Sequence, residues 1–312
     1  MFKNIIVNLP SNIGDTILTL PALNRLHLNY PQAKLTLICS KQTQEFLSHY
    51  SDANETLLFD KRWPAMRKFK FSLSLRQKYD LIVDFKNSLL PLFTGAKRTP
   101  FFRKFTKNLP AKDRYLYLIK DIAPIDAKKT AQFLLTEDEE KKWKLPQIEQ
   151  SVFVACASNA LQKRYPYNLL KELVKNLAKR TPVTILGQEA DRQFYKDILN
   201  IPGVNDLVGK TKIHEVFYLL TAYARLLVCV DSSIMHIASY LDIPIVAMFG
   251  QTSVLKYGPW SKKYIVVKRD DLDCVPCENP HCRFNHECME IDPKRVLSAI
   301  DKLNPNNHGT NT

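Results

Sequence analysis

Apolar runs of strand length alternate with amphipathic stretches of helical length along most of this 312-residue chain. The runs are KNIIVNL, KLTLICS, ETLLF and DLIVDF before residue 100, and SVFVACA, PVTILG, RLLVCV and PIVAMFG after residue 150. Short continuous apolar runs are typical of strands buried on both faces of a parallel sheet. Intervening segments such as YNLLKELVKNLAKR have the period of an amphipathic helix. The pattern predicts an α/β fold with two doubly wound parallel sheets.

The two series of strands and helices are separated by TEDEEKKWKLPQIEQ, residues 136–150, which is charged and contains no apolar run. A polar segment of this kind is typical of a domain boundary. We therefore predict a first domain at residues 1–149 and a second at residues 150–312.

One strand-to-helix transition stands out, DSSIMHIASYLDIPIVAMFG at residues 231–250. Asp231 and Ser232 follow an apolar strand and stand where a helix N-cap would be. The segment is consistent with a capped helix packed on a sheet. It is also consistent with a binding site, because a helix N-terminus at the carboxyl end of a parallel strand favours phosphate.

Two further loops follow predicted strands. In LPSNIGDTILTLPAL, Asp15 stands near a helix start, where an acid can simply stabilise the helix dipole. The loop is not GxGxxG, so the nicotinamide-binding fingerprint is absent there. In ACASNALQKRYPY, Ser158 and Asn159 follow the strand and Lys163 comes shortly after. This second loop suits an anionic group, or is an ordinary polar loop.

The net charge of +14 is concentrated in the first half of the chain. Residues 1–150 contain 25 Lys and Arg against 15 Asp and Glu, whereas residues 151–312 contain 20 against 16. Lys61–Lys78 holds seven cations and no acid, and the next basic stretch includes Phe101, Phe102 and Phe105. Bases with interspersed aromatic residues suit an anionic membrane surface or a phosphorylated substrate, and the alternative is a solvated helix face. The charge also leaves a non-catalytic nucleic-acid-binding protein as the alternative of a different class, but a nucleic-acid partner is not expected, since no nucleic-acid-binding module is recognisable.

The N-terminus, MFKNIIVNLPSNIGD, has too short an apolar run for a signal peptide, and no run reaches the length of a membrane span. We therefore expect a cytoplasmic protein that at most touches a membrane from that side. Cys274, Cys277, Cys282 and Cys288 form C-x2-C-x4-C-x5-C, which leaves a structural metal, free thiols and disulfides formed after purification as alternatives.

Taken in order, IGDTILTLPAL, SNALQKRYP, ILGQEAD and DSSIMHIASYLDIPIVAMFGQTS resemble the heptosyltransferase family of bacterial lipopolysaccharide synthesis, glycosyltransferase family 9. The resemblance implies a GT-B fold, in which two Rossmann-like domains face each other across a cleft. It implies inverting transfer of heptose from ADP-heptose to the lipopolysaccharide inner core, a Kdo–lipid A type acceptor, without a metal or cofactor. It also implies an acceptor-binding N-terminal domain, a nucleotide-sugar-binding C-terminal domain and a position peripheral to the inner membrane.

Carried over by motif, the resemblance makes Asp15 the general base, a role that a carboxylate within reach of the acceptor hydroxyl can perform. The residues expected at the donor are Ser158, Asn159, Lys163, Glu189, Asp231, Ser232, Ser233 and His236. His236 is also consistent with a packed structural histidine. The basic stretch supplies Arg67, Lys68 and Lys70 as candidate acceptor-binding residues. Ser233 stands where the family commonly has Gly, which keeps another nucleotide-sugar donor open as an alternative, as is a non-catalytic nucleotide-sugar-binding relative.

Overall fold

A computed structural model of the chain describes residues 2–98, 109–125, 131–279 and 281–303. The chain divides into two compact units, Met1–Leu135 and Thr136–Thr312. Phe101, Phe102 and Phe105 lie outside the described residues. Among the helices that are described, none is long and apolar enough to cross a membrane.

The first unit is built on a five-stranded sheet in the order β3-β2-β1-β4-β5, and every strand pair in it is parallel. Its strands are β1 (Asn4–Asn8), β2 (Lys34–Cys39), β3 (Glu55–Leu58), β4 (Leu81–Asp84) and β5 (Lys97–Arg98). Its described helices are α1 (Ile13–Asn29), α2 (Lys41–Leu47), α3 (Ala65–Ser74), α4 (Pro91–Thr94) and α5 (Ala111–Ile119). The apolar side chains of β1 and β4 are fully buried, as the continuous runs predict for central parallel strands.

The second unit contains a six-stranded parallel sheet in the order β11-β10-β9-β6-β7-β8. Its strands are β6 (Ser151–Ala155), β7 (Val183–Ile185), β8 (Val204–Asp206), β9 (Ala224–Val230), β10 (Ile245–Phe249) and β11 (Tyr264–Lys268). Its described α-helices are α6 (Glu137–Lys142), α7 (Tyr167–Ala178), α8 (Arg192–Tyr195), α9 (Ile213–Tyr223), α10 (Ser233–Tyr240), α11 (Val254–Tyr257) and α12 (Pro293–Leu303). The predicted α/β fold with two parallel sheets is confirmed.

Helix α7 shows how the sequence builds this unit. Leu170, Leu173, Val174 and Leu177 recur at the spacing of one helical face, and all four are buried against the sheet. The opposite face carries the lysines, which remain at the surface. One amphipathic helix therefore covers the sheet without any polar residue entering the core.

The boundary between the units falls before the polar segment 136–149, which we predicted to belong to the first domain. Thr136 caps α6 in a capping box with Glu139. Trp143 is only 3% exposed, and its Nε1–H donates to Glu215 Oε1 at 2.8 Å. Lys142 Nζ contacts the same carboxylate at 3.0 Å. The segment belongs to the second unit because Trp143 is buried and hydrogen-bonded to Glu215 of α9, and Ile148 is buried as well.

Candidate active site

The central strands β6 and β9 form a topological switch point in the second unit. From β6 the chain builds outwards through β7 and β8 on one side, and from β9 through β10 and β11 on the other. The loops that follow two such strands leave the sheet in opposite directions, and the crevice between them is where ligands bind in open α/β sheets. The predicted donor residues of both loops, 158–163 and 231–233, lie at this point.

Lys163 and Asp231 form an ion pair at the switch point. Lys163 Nζ lies 2.6 Å from Asp231 Oδ2, although 68 residues separate them in sequence. The Asp231 side chain is almost fully buried, whereas that of Lys163 is partly exposed. The carboxylate therefore fixes the ammonium group while leaving part of it accessible to an anion.

Helix α10 begins at Ser233, and Ser232 is its N-cap residue in extended conformation. The sequence placed a cap at Asp231 or Ser232, but the Ser232 side chain makes no capping hydrogen bond. Its Oγ is instead buried without a partner among the described residues. Buried hydroxyls are normally hydrogen-bonded, so this atom is an available donor or acceptor beside the first-turn N–H groups of α10.

His236 lies one turn further along α10 and is 5% exposed. Its ring stacks on Trp260 at a centroid distance of 5.5 Å. Burial lowers the pKa of His236 to about 4; nearby Asp231 opposes this shift and Lys163 adds to it. His236 is therefore a packed, neutral histidine whose pKa is influenced by the Lys163–Asp231 ion pair. Its Nδ1 has no partner among the described residues.

Ser158 and Asn159 belong to a loop that Arg164 braces. Arg164 Nε donates to the Ser158 carbonyl oxygen at 2.6 Å, and its guanidinium lies 3.4 Å from Asp191 Oδ1. The Ser158 hydroxyl accepts from the Ala160 N–H at 3.2 Å, and Asn159 is exposed. The backbone of the loop is thus held while its polar side chains remain near the surface.

Glu189 opens the short turn after β7. Its carboxylate pairs with Arg192 at 3.1 Å and lies against Gly209, where φ is +71°. A Cβ at Gly209 would stand 2.0 Å from Glu189 Oε2. No hydrogen bond within the described part of the chain joins Glu189 to Lys163 or Asp231, and its carboxylate pairs with Arg192 instead.

Asp15 lies in the first turn of α1 and is not its cap. The N-cap is Asn12, whose Nδ2 donates to Asp15 Oδ2 at 3.2 Å. Gly14 is the second residue of the helix. The Asp15 carboxylate is half-buried at the end of the loop that follows β1, which is a central strand of the first sheet.

Arg67, Lys68 and Lys70 lie on α3 of the first unit. The Arg67 guanidinium stacks 4.1 Å from the centroid of the Trp63 ring, and Lys70 is exposed. The helix carries no acid, so its charge is not neutralised along its own length.

Residues 101–287 match the family model of glycosyltransferase family 9 (heptosyltransferase). The chain belongs to this family. It is 24% identical over 333 residues to lipooligosaccharide heptosyltransferase 2 of Campylobacter jejuni, a match that covers 97% of this chain and 99% of the relative. Escherichia coli ADP-heptose LPS heptosyltransferase II superposes with a TM-score of 0.77 at 23% identity, covering 98% and 100% of the two chains. An E. coli heptosyltransferase with ADP gives a TM-score of 0.72 at 17% identity, covering 96% and 99%. The predicted family and enzyme class, a glycosyltransferase, are confirmed.

Three polar residues at strand ends of this family 9 glycosyltransferase were not predicted as site residues. Gln251 follows β10, and its Oε1 is buried without a partner among the described residues. Asn8 and Asp84 end the neighbouring strands β1 and β4, and Asn8 Nδ2 donates to Asp84 Oδ1 at 2.8 Å. Their position at the carboxyl end of a central strand was the available signal.

All four cysteines of the C-terminal motif are free thiols in the structure. Cys282 Sγ accepts N–H bonds from Phe284 and His286 at 3.3 and 3.4 Å. Burial raises the pKa of Cys288, and the neighbouring cysteines raise it further. Of these four, Cys288 lies beside Gly250, where a Cβ would stand 2.7 Å from Cys288 Sγ.

Proposed function

We propose that this family 9 enzyme transfers heptose from ADP-heptose to the inner core of lipopolysaccharide, with inversion and without a metal. The observation that carries the proposal is the Lys163–Asp231 pair beside the unpartnered Ser232 hydroxyl at the start of α10. The names of the relatives support the donor and the acceptor, since they include an ADP-heptose LPS heptosyltransferase and a lipooligosaccharide heptosyltransferase.

In this proposal the second unit holds the donor. Loss of ADP places growing negative charge on the diphosphate, and Lys163 together with the first-turn N–H groups of α10 stabilises that charge. Ser232 and Ser233 donate to phosphate oxygens, and Ser158 and Asn159 contact the diphosphate from the opposite loop. Asp231 holds Lys163 in place and accepts from sugar hydroxyls, because a carboxylate would repel the phosphates directly. His236 borders this pair, and Glu189 accepts from the nucleoside.

In the same proposal the first unit holds the acceptor. Asp15 takes the proton from the attacking hydroxyl as the hydroxyl oxygen bonds to the anomeric carbon. Arg67, Lys68 and Lys70 bind the phosphate and carboxylate groups of the acceptor. The enzyme would act at the cytoplasmic face of the inner membrane, where a lipid-linked acceptor is anchored.

The test is turnover of purified protein with ADP-heptose and Kdo–lipid A. We expect product with the opposite anomeric configuration by NMR, and the same rate after chelation of divalent metals. Changing Arg67, Lys68 and Lys70 to Gln should raise the acceptor KM about tenfold and leave the donor KM unchanged, as expected for lost charge-assisted bonds. The matched control changes the exposed Lys175, Lys179 and Lys196 of the second unit to Gln. Turnover with a different nucleotide sugar and none with ADP-heptose would contradict the proposed donor.

A further inference from the structure

The first unit exposes one contiguous group of large apolar side chains. Six residues form it, each between 37% and 68% exposed: Met66, Phe69, Leu73, Leu89, Leu92 and Phe93. The first three recur at i, i+3 and i+7 on one face of α3, and the other three lie on or just before α4. Phe69 and Phe93 join the two groups, with ring centroids 6.0 Å apart. We call these six residues the apolar patch.

The apolar patch is not needed to hold the unit together. Helix α3 packs on the sheet through its other face, where Ser72 and Leu75 are buried, and α4 does so through Leu90 and Pro91. Leu75 and Leu90 belong to the core cluster that includes Ile6 and Ile82. Large contiguous apolar surfaces are uncommon on soluble proteins and mark sites of contact with a partner or a membrane.

The charges around the apolar patch favour an anionic membrane as the partner. Lys61–Lys78 contains seven cations and no acid, and Lys70 lies within one turn of Met66 and Leu73 on α3. Apolar side chains that enter the acyl boundary beside cations that meet headgroups are the features of an interfacial helix. A second copy of the chain fits less well, because a symmetric contact through this surface would bring the two sets of cations together.

We propose that the apolar patch inserts into the surface of an anionic bilayer while the surrounding Lys and Arg residues contact its headgroups. It would hold the first unit, with Asp15, at the membrane. The proposal rests on the proposed function only for the identity of the acceptor, because bilayer binding itself requires no transfer reaction.

Vesicle sedimentation tests the insertion directly. The double variant Phe69→Ser/Leu92→Ser should bind vesicles of phosphatidylglycerol and phosphatidylethanolamine at least tenfold more weakly than the wild type. The control Ile125→Ser/Leu134→Ser changes two side chains of the first unit that are 61% and 54% exposed but lie outside the apolar patch, and it should bind normally. All these side chains are exposed, so both variants should keep the wild-type melting temperature. Unchanged vesicle binding by Phe69→Ser/Leu92→Ser would overturn the proposal.

Two further measurements separate the competing explanations. With acceptor embedded in vesicles, Phe69→Ser/Leu92→Ser should lose at least tenfold in kcat/KM, whereas with deacylated, water-soluble acceptor it should match the wild type. Sedimentation equilibrium tests the second copy: a wild-type dimer that this variant abolishes, with vesicle binding retained, would overturn the proposal. If the wild type turns over neither acceptor, the proposed function fails, and vesicle binding still decides the role of the apolar patch.

Discussion

Lys163 is the residue whose contacts are most informative about how the candidate site could bind an anion. An unpaired carboxylate near a phosphate site would repel the ligand, and an unpaired, partly buried lysine would lose solvation. Pairing Lys163 with Asp231 at 2.6 Å avoids both costs in the free protein. The Lys163 ammonium has three N–H donors, so it can bind a phosphate oxygen without leaving Asp231.

We predict that Lys163→Ala weakens ADP binding by about 1.5–3 kcal/mol, the usual cost of losing a charge-assisted hydrogen bond, and leaves adenosine binding unchanged. Glu189→Gln should instead weaken both ligands equally if Glu189 contacts the nucleoside. Isothermal titration of both ligands measures the difference. The control is Lys171→Ala, which removes an ion pair of the same type with Asp197 at 3.4 Å. Equal losses of ADP and adenosine affinity in Lys163→Ala would remove Lys163 from the diphosphate site.

Asp15 carries the most specific prediction for the first unit. Because Asn12 and not Asp15 occupies the N-cap position of α1, Asp15→Asn costs the helix little, and Asn still accepts the hydrogen bond from Asn12. An amide cannot take a proton, so turnover should fall roughly 10²–10⁴-fold while melting temperature and ADP affinity remain unchanged. Asn12→Ala, which removes the amide that donates to Asp15 but keeps the carboxylate, is the matched control and should stay active. Near wild-type turnover by Asp15→Asn would exclude Asp15 as the base.

At the scale of elements, apolar runs predicted the buried strands and the edge strand β3, and missed the other three edge strands. The strands β5, β8 and β11 end their sheets, and none of them is fully buried. An edge strand needs no continuous apolar run, because one side of it meets solvent. The site could likewise be predicted only in part. The positions of Lys163 and Asp231 after predicted strands identified each residue separately. Their ion pair could not be predicted, because it requires β6 and β9 to be neighbours in the sheet, and the order of strands along the chain does not give this.

Helix α10 supplies a pH-dependent prediction through His236, whose pKa in the folded protein is about 4 because the ring is buried. The unfolded chain takes up a proton near pH 6.5 and the folded protein does not, so stability is present above pH 6.5 and falls as the pH is lowered towards 4. Between pH 7.5 and pH 5, the contribution of His236 to the free energy of unfolding therefore falls by about 2 kcal/mol.

Urea unfolding at several pH values measures this contribution of His236. The variant His236→Gln is less stable than wild type at pH 7.5, because it loses the stacking contact with Trp260. The difference in unfolding free energy between wild type and His236→Gln should be smaller by about 2 kcal/mol at pH 5, since Gln does not titrate. Stability curves that stay parallel over this range would show that His236 is not held neutral by burial.

At the scale of the whole molecule, the position of the boundary between the units determines which residues each unit needs in order to fold stably. The polar segment 136–149 reads as a linker in sequence, yet it supplies Trp143 to the second unit and satisfies the buried Glu215 carboxylate. Hydropathy alone could not show this, because Trp143, Leu145 and Ile148 are separated by charged and polar residues or proline and form no apolar run. Its importance follows from the partner on α9, more than 70 residues away.

We predict that a fragment of residues 136–312 unfolds cooperatively and binds ADP, whereas a fragment of residues 150–312 is several kcal/mol less stable. The shorter fragment loses the burial of Trp143, which for a core aromatic residue is worth about 3–5 kcal/mol. It also leaves Glu215 without its Trp143 and Lys142 partners, and an unpaired buried acid is costly. Adding Trp143→Ala to the longer fragment should reproduce most of the loss of stability, which separates the effect of the side chain from that of the removed backbone.

Thermal melting with and without ADP measures both the stability of the fragments and their ADP binding. Equal melting temperatures for the two fragments would place the boundary at residue 150, and a stable 136–312 fragment that fails to bind ADP would show that the second unit does not hold the donor by itself.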